Sequence, residues 1–241
     1  MEEIEKPEES LVITPRDVDL LRMIHEHRYS PYNHIETAFW PGRSTQANGC
    51  YRRIEILVDG GYLARDRSRK NGQVVYLLAQ KGFQELKTRG LDQGLVLYRK
   101  TKDFDRNIDH DLKVLTLRIK FREMGIHDWR CERILKEKDY LKRIPDGVVL
   151  LKGKYNLAIE LENSLKTKSR YREIFSYYRE NKDYSLILFV VDDELKEWLI
   201  AMDYDPQRVW FAGYTDLLKM KERTVFENRH ERFEFSRILT R

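Results

Sequence analysis

The sequence predicts an α+β protein of two domains, and three observations support this fold class. At the start of the chain, apolar residues recur at helical spacing in three consecutive segments, and a β-hairpin pattern follows them. After about residue 110 the pattern becomes a helix, three strands, a helix and a strongly apolar strand, which is typical of an α/β domain with a central mixed sheet. A weakly patterned stretch separates these two parts.

The length of 241 residues is enough for one large domain or two small ones. We predict an acidic flexible tail over residues 1–12, a first domain over 13–90, a linker over 91–109 and a second domain over 110–241. The tail carries five glutamates and little apolar surface, so it cannot repay the entropy cost of becoming ordered. The linker shows mixed charge and only scattered apolar residues.

Charge and cysteine content limit the classes of function. Lys and Arg number 45 against 40 Asp and Glu, so the net charge of +5 does not by itself indicate a nucleic-acid partner. Cys50 and Cys131 lie far apart without metal-binding spacing, as expected for reduced thiols in a cytoplasm. The apolar run Leu186–Val191 is much shorter than the roughly 20 residues of a membrane span, so we expect a soluble, cytoplasmic protein with no membrane partner.

Capping signals begin three helices in the first domain. Thr14-Pro15-Arg16-Asp17 supplies an N-cap and a proline at the first helical position, Ser30-Pro31 caps a short second helix, and Ser44 caps a third. The third helix has an apolar stripe for packing on a core: Ala47, Cys50, Ile54 and Leu57.

A β-hairpin follows the third helix. Gly60-Gly61 ends that helix, and residues 62–65 and 74–78 alternate as two strands around Asn71-Gly72. Residues 81–89 then indicate a trailing helix. Three helices and a hairpin in this order predict a winged helix-turn-helix domain.

The third helix and the hairpin carry polar and cationic residues away from the apolar stripe. A helix in the DNA major groove needs side chains that reach base edges, and cations on a neighbouring wing neutralise phosphates. We therefore predict an interface with double-stranded DNA formed by Thr45, Gln46, Asn48, Arg52, Arg65, Arg67, Arg69 and Lys70. The alternative interpretation is a solvated helix face beside a basic turn.

The second domain alternates between helical and strand patterns. The predicted elements are a helix over 112–124, strands over 129–135, 148–151 and 157–162, a helix over 165–181, a strand over 186–191, a helix over 194–202 and a strand over 209–212.

Acidic residues lie on adjacent predicted strands of this domain. Glu160 and Glu162 share one strand face because strand side chains alternate, and Asp146 precedes the neighbouring strand. If these strands are neighbours, Asp146 and Glu160 meet at one sheet edge and can bind Mg²⁺ or Mn²⁺, with Glu132 on the preceding strand as a further metal ligand. The alternative is that the acids form ordinary ion pairs with Lys152, Lys154, Lys166 or Arg170.

Short motifs follow one another along the chain in a recognisable order. In the first domain they are Thr14-Pro15-Arg16-Asp17, Leu20-Leu21, Arg53-Ile54, Leu57, Gly60-Gly61-Tyr62-Leu63, Val75-Tyr76-Leu77-Leu78 and Gly82. In the second they are His110-Asp111-Leu112, Trp129, Glu132, Pro145-Asp146-Gly147, Ala158-Ile159-Glu160-Leu161-Glu162, Ser164, Lys166 and Arg170-Tyr171. Together they resemble the plasmid replication-relaxation family from Thr14 to about Val191. The resemblance implies an accessory factor of plasmid replication or mobilisation, with a relaxase or replication initiator as a partner.

The second domain also resembles the PD-(D/E)xK nuclease fold, a restriction-endonuclease-like fold in which two acids and a lysine surround a metal ion and the scissile phosphate. Asp146 matches the first acid and Glu160 the second. Glu162 occupies the lysine position and cannot supply its positive charge, so Lys166, expected in the following helix, is the candidate replacement. The resemblance thus implies Asp146, Glu160, Glu162 and Lys166 as catalytic candidates.

Three hypotheses of function follow. The first is a non-enzymatic DNA-binding accessory protein, which requires no cofactor and can act as a homodimer on paired half-sites. The alternative is a DNA endonuclease or nickase that uses Asp146 and Glu160 with Mg²⁺ or Mn²⁺ as cofactor. A transcriptional regulator is a second alternative, because winged helices with a second domain can act in that way.

Overall fold

The structure is a computed structural model that describes residues 11–42, 47–137 and 142–240. The chain divides into two compact units between Lys102 and Asp103. A helix begins at Phe104, so the last residues of the predicted linker 91–109 already belong to the second unit.

The first unit combines four helices with a small antiparallel sheet. The helices are α1 (Pro15–His27), α2 (Tyr32–Phe39), α3 (Ala47–Asp59) and α4 (Gln80–Thr88). The strands are β1 (Tyr29–Ser30), β2 (Leu63–Arg67) and β3 (Val74–Leu78), in the order β1-β3-β2. The sequence predicted all of these elements except β1.

Local hydrogen bonds explain where α1 begins. The Thr14 hydroxyl accepts from the Asp17 amide, and the Asp17 carboxylate accepts from the Thr14 amide at 2.7 Å, which forms a capping box. Ser30 belongs to β1, and α2 follows Pro31 without a side-chain cap, so the predicted Ser30 cap does not form.

The second unit is built on a seven-stranded mixed sheet in the order β10-β9-β8-β7-β6-β5-β4. Only the β6–β7 and β7–β8 pairs are parallel among the paired strands described. The strands are β4 (Trp129–Cys131), β5 (Gly147–Leu151), β6 (Tyr155–Glu162), β7 (Leu186–Val191), β8 (Val209–Gly213), β9 (Val225–Glu227) and β10 (Arg232–Glu234). The α+β class and the mixed sheet are confirmed.

Six helices accompany this sheet in the described residues: α5 (Phe104–Glu123), α6 (Glu132–Lys136), α7 (Lys168–Glu180), α8 (Asp193–Ile200), α9 (Tyr214–Met220) and α10 (Ser236–Thr240). Two expectations are wrong. The strand predicted over 129–135 ends at Cys131, so Glu132 lies at the start of α6 and not on a strand. Lys166 was expected in the helix after β6, but it lies in the loop before α7. Within the described ranges, every helix is too short or too polar to cross a membrane.

Strand β6 is the centre of the second unit because both of its faces are buried. Ile159 and Leu161 share a core with Val114, Leu117 and Phe121 of α5. Ala158 shares a second core with the α7 residues Tyr171, Phe175 and Tyr178. Since Glu160 and Glu162 alternate with Ile159 and Leu161, they lie on the α7 side of the sheet.

Candidate functional site

The first candidate site is formed by exposed parts of α3 and β2, and we call it the α3–β2 surface; its described side chains are Arg52, Glu55, Ile56, Arg65 and Arg67. The Arg65 guanidinium forms an ion pair with Glu55, which joins the hairpin to the helix. It also lies 5.8 Å from the ring centre of Tyr76 on β3. The hydrogen bond with Glu55 raises the pKa of Arg65, so this cation is held beside α3.

Two further arginines of this surface keep their charge available. Arg52 and Arg67 are exposed, and neither has an acidic partner among the described residues. Arg67 follows Arg65 by two positions, so both lie on one side of β2. Arg69 and Lys70 are exposed in the loop between β2 and β3. The surface therefore carries cations on both the helix and the hairpin.

Part of the predicted DNA interface lies outside the described residues. Thr45 and Gln46 fall there, as does the predicted cap Ser44, and Asn48 is described only as backbone of α3.

The structure also adds a cation, Lys100, that the sequence did not indicate. Lys100 donates to the Asp66 carboxylate and to the Arg67 carbonyl, each at 2.9 Å. It comes from the predicted linker, and the hairpin pattern contains no signal for it.

The second candidate site is the carboxylate cluster, which consists of Asp146, Glu160 and Glu162. Gly147 pairs with Ile159 across β5 and β6, so Asp146, which directly precedes β5, lies at the Glu160 end of this pairing. The amide of Leu161 donates to Asp146 Oδ2 at 2.7 Å and fixes this carboxylate at the sheet. The structure thus brings together the two acids that the sequence placed at one edge.

Glu160 is buried and held by an arginine that the sequence analysis did not single out. Arg143 donates from Nε to Oε1 at 3.0 Å and from Nη2 to Oε2 at 3.1 Å. The Tyr178 hydroxyl also donates to Oε1. Burial raises the pKa of Glu160, and the Arg143 guanidinium opposes this rise. Both oxygens of Glu160 are therefore occupied by protein donors.

Asp146 faces a histidine of α5. His110 Nε2 lies 3.5 Å from Asp146 Oδ2, and Nδ1 lies 3.8 Å from the Asp111 carboxylate. Burial lowers the pKa of His110, but hydrogen bonds with Asp111 and Asp146 outweigh burial and raise the pKa to about 10. His110 is consequently a cation at neutral pH and partly neutralises Asp146.

The other two predicted acids also have cationic partners. Glu162 forms an ion pair with Lys166 through Oε2, while its buried Oε1 has no hydrogen-bond partner within the described ranges. Glu132 pairs with Lys136 in α6 at 2.6 Å. In the part of the chain that the structure describes, no three His, Cys, Asp or Glu side chains are arranged to hold a metal ion. As arranged, these donors do not fit a divalent cation.

The fold and the two sites define a two-unit α+β protein with a cationic helix–hairpin surface and a carboxylate cluster paired with cations of its own chain. A family model described as replication-relaxation matches residues 21–187, which is more than half of the chain and includes both sites. The chain belongs to the replication-relaxation family, as its motifs predicted. No curated protein and no solved structure matches it.

Proposed function

We propose that this chain is a DNA-binding accessory protein of plasmid replication or mobilisation and that a winged helix in its first unit contacts duplex DNA. Membership of the replication-relaxation family suggests the plasmid role. The succession of α1, α2 and α3 with the β2–β3 hairpin is the element order of a winged helix, which supports the proposed mode of binding.

The ion pair between Arg65 and Glu55 is the observation that carries this proposal. It holds the hairpin against α3, so the cations of β2 lie beside the exposed side of the helix that would enter the major groove. Arg65 lies directly across from Tyr76, and its contact with that ring further restricts the guanidinium. A duplex on this surface would meet helix and hairpin together.

Phosphate neutralisation is the physical basis of the expected affinity. Arg52 and Arg67 are exposed and have no acidic partner among the described residues, so they lose no ion pair when they contact phosphates. Each neutralised phosphate releases counterions and adds about 0.9 to the magnitude of the logarithmic salt slope.

Fluorescence anisotropy of a labelled duplex at several salt concentrations tests the proposal. We expect Arg52→Ala with Arg67→Ala to weaken binding at least about tenfold and to lower the magnitude of the salt slope by about 2. The matched control is Lys219→Ala, an exposed cation of the second unit. Binding by the double variant with wild-type affinity and slope would contradict the proposal.

The metal-dependent endonuclease or nickase stays a prediction, with the electrostatic interaction between the Asp146 and Glu160 carboxylates in its favour. Supercoiled plasmid incubated with protein and Mg²⁺ or Mn²⁺ separates the two functions. The accessory proposal expects bound but uncut plasmid, whereas cleavage that Asp146→Asn abolishes would establish the nuclease. A relaxase or initiator as partner, a homodimer and the role of a transcriptional regulator also stay predictions.

A further inference from the structure

Each member of the carboxylate cluster has a side-chain partner in the same unit. The Arg143 guanidinium holds Glu160, the Lys166 ammonium pairs with Glu162, and the His110 ring lies 3.5 Å from Asp146. The three partners come from three places: the segment before β5, the loop before α7, and helix α5. Such one-to-one pairing is what buried acids need when no external cation neutralises them.

We infer that the carboxylate cluster is neutralised from within, with the Arg143 guanidinium in the position of a divalent cation at Glu160, so that this unit binds no metal ion there. The inference concerns the second unit and is independent of DNA binding by the first. It assigns Arg143 as the residue that decides whether these acids can serve as metal ligands.

The bidentate geometry at Glu160 is the strongest support. A cation shared by Asp146 and Glu160 needs at least one oxygen of Glu160, but Arg143 and Tyr178 already donate to Oε1, and Arg143 donates to Oε2. Entry of a metal ion would break a charge-assisted pair and leave the guanidinium, with only 21% of its side chain exposed, without its carboxylate.

The remaining oxygens do not replace those of Glu160. Asp146 Oδ2 is engaged by the Leu161 amide and lies near His110. Glu162 Oε1 is buried without a hydrogen-bond partner within the described ranges, so it is one available donor. Mg²⁺ and Mn²⁺ keep several waters and need one or two protein carboxylates. Without Glu160 the remaining carboxylates of the cluster each lie beside another side chain of the protein, Asp146 beside His110 and Glu162 beside the Lys166 ammonium.

A measurement of Mn²⁺ binding to the whole chain tests this inference. Bound Mn²⁺ is detected as a loss of the electron paramagnetic resonance signal of the free ion. We expect the wild type to hold no Mn²⁺ at Glu160, so the Glu160→Gln variant should bind the same amount of Mn²⁺ as the wild type. Glu173→Gln is the matched control, since it makes the same change at an exposed carboxylate of α7. One bound Mn²⁺ in the wild type that is lost in Glu160→Gln and kept in Glu173→Gln overturns the inference.

Removal of Arg143 supplies the converse test. Arg143→Ala removes the guanidinium and frees Oε2 of Glu160, while Tyr178 still donates to Oε1. We expect the affinity of this variant for Mn²⁺ to be at least about tenfold higher than that of the wild type. The gain should vanish in Arg143→Ala with Glu160→Gln. A folded Arg143→Ala protein, verified by circular dichroism, that gains no Mn²⁺ affinity contradicts the role given to Arg143. If that variant does not fold, the wild-type and Glu160→Gln comparison decides alone.

Discussion

Asp17 is only 1% exposed, yet it stays charged because its neighbours are donors. Arg53 on α3 donates from Nε at 2.9 Å, and the Thr14 amide donates at 2.7 Å. Burial raises the pKa of Asp17, but the bonds with Arg53 and Thr14 together lower it below its ordinary value of 3.8. One side chain therefore caps α1 and ties it to α3.

This residue predicts a pH dependence of stability. A folded-state pKa below 3.8 means that the stabilisation by Asp17 is fully present above pH 3.8 and is lost as the pH falls through the lowered pKa. We expect Asp17→Asn to reduce the free energy of unfolding by about 3 kcal/mol at pH 7. Urea unfolding of both proteins at pH 7 and at pH 3 measures this. A difference of equal size at both pH values would contradict the explanation.

Glu55 also has a defined effect, because it neutralises Arg65 in the free protein. The amide oxygen of glutamine still accepts a hydrogen bond from Arg65, which keeps the hairpin against α3, so Glu55→Gln removes only the neutralising charge. We therefore expect this variant to bind duplex about threefold more tightly at low salt. Glu85→Gln is the control, since it removes the same charge from an ion pair with Arg89 elsewhere in the first unit. Anisotropy measurements in which both variants bind alike would show that the pairing with Arg65 is irrelevant.

Among whole elements, α4 approaches the hairpin closely at one glycine. A Cβ atom on Gly82 would lie 2.3 Å from the Tyr62 carbonyl oxygen and 2.8 Å from the Leu78 side chain. The backbone oxygen cannot move aside without disturbing the neighbouring β2 strand. Helix and hairpin therefore form one packed body around Gly82.

This close approach predicts that Gly82→Ala destabilises the first unit even though alanine favours helices. Overpacking of this kind costs about 1–3 kcal/mol, which exceeds the gain in helix propensity. Thermal unfolding measures the loss of stability in Gly82→Ala, and Gly90→Ala serves as the comparison at a glycine with different surroundings. Gly90 has no atom near its Cβ position but has φ of 68°, so its substitution is strained by backbone conformation alone. A Gly82→Ala protein as stable as the wild type would contradict the packing argument.

The sequence predicted most elements because their signals are local. Helical stripes and strand alternation, with a capping box at α1, located α1 to α4, β2 and β3 without tertiary information. It missed β1, which has two residues, and β9 and β10, which have three each, because such short strands show no alternation pattern. The sequence pattern extended β4 too far because Ile134 and Leu135 are apolar. In the structure Leu135 belongs to helix α6 and packs in the core that contains the α7 residues Tyr171 and Phe175.

The candidate sites were predictable only in part. Alternation placed Glu160 and Glu162 on one strand face, and the position of Asp146 directly before β5 placed it at the same end of the neighbouring strand. The contacts of Arg143 and His110 with the cluster could not be inferred, although His110 belongs to one of the family motifs. These two residues reach the cluster from a segment before β5 and from α5, and the sequence carries no local signal for that meeting.

At the scale of the whole molecule, the net charge of +5 conceals two different uses of charge. In the second unit, Arg143 and Lys166 pair with the buried Glu160 and Glu162. On the α3–β2 surface, Arg52 and Arg67 are exposed and have no acidic partner within the described ranges, so their charge is available to a polyanion. A modest overall charge is therefore compatible with a specific surface for DNA.

Site-directed photo-crosslinking to duplex DNA tests this surface most directly. Cys50 and Cys131 are buried, so a thiol-reactive photo-crosslinker can be attached selectively at Arg67→Cys or, as control, at Lys219→Cys. We predict strong crosslinking from position 67, suppressed by excess unlabelled duplex, and only background from position 219. Equal crosslinking from both positions, or none from position 67 under conditions where the protein binds DNA, would contradict the proposed interface.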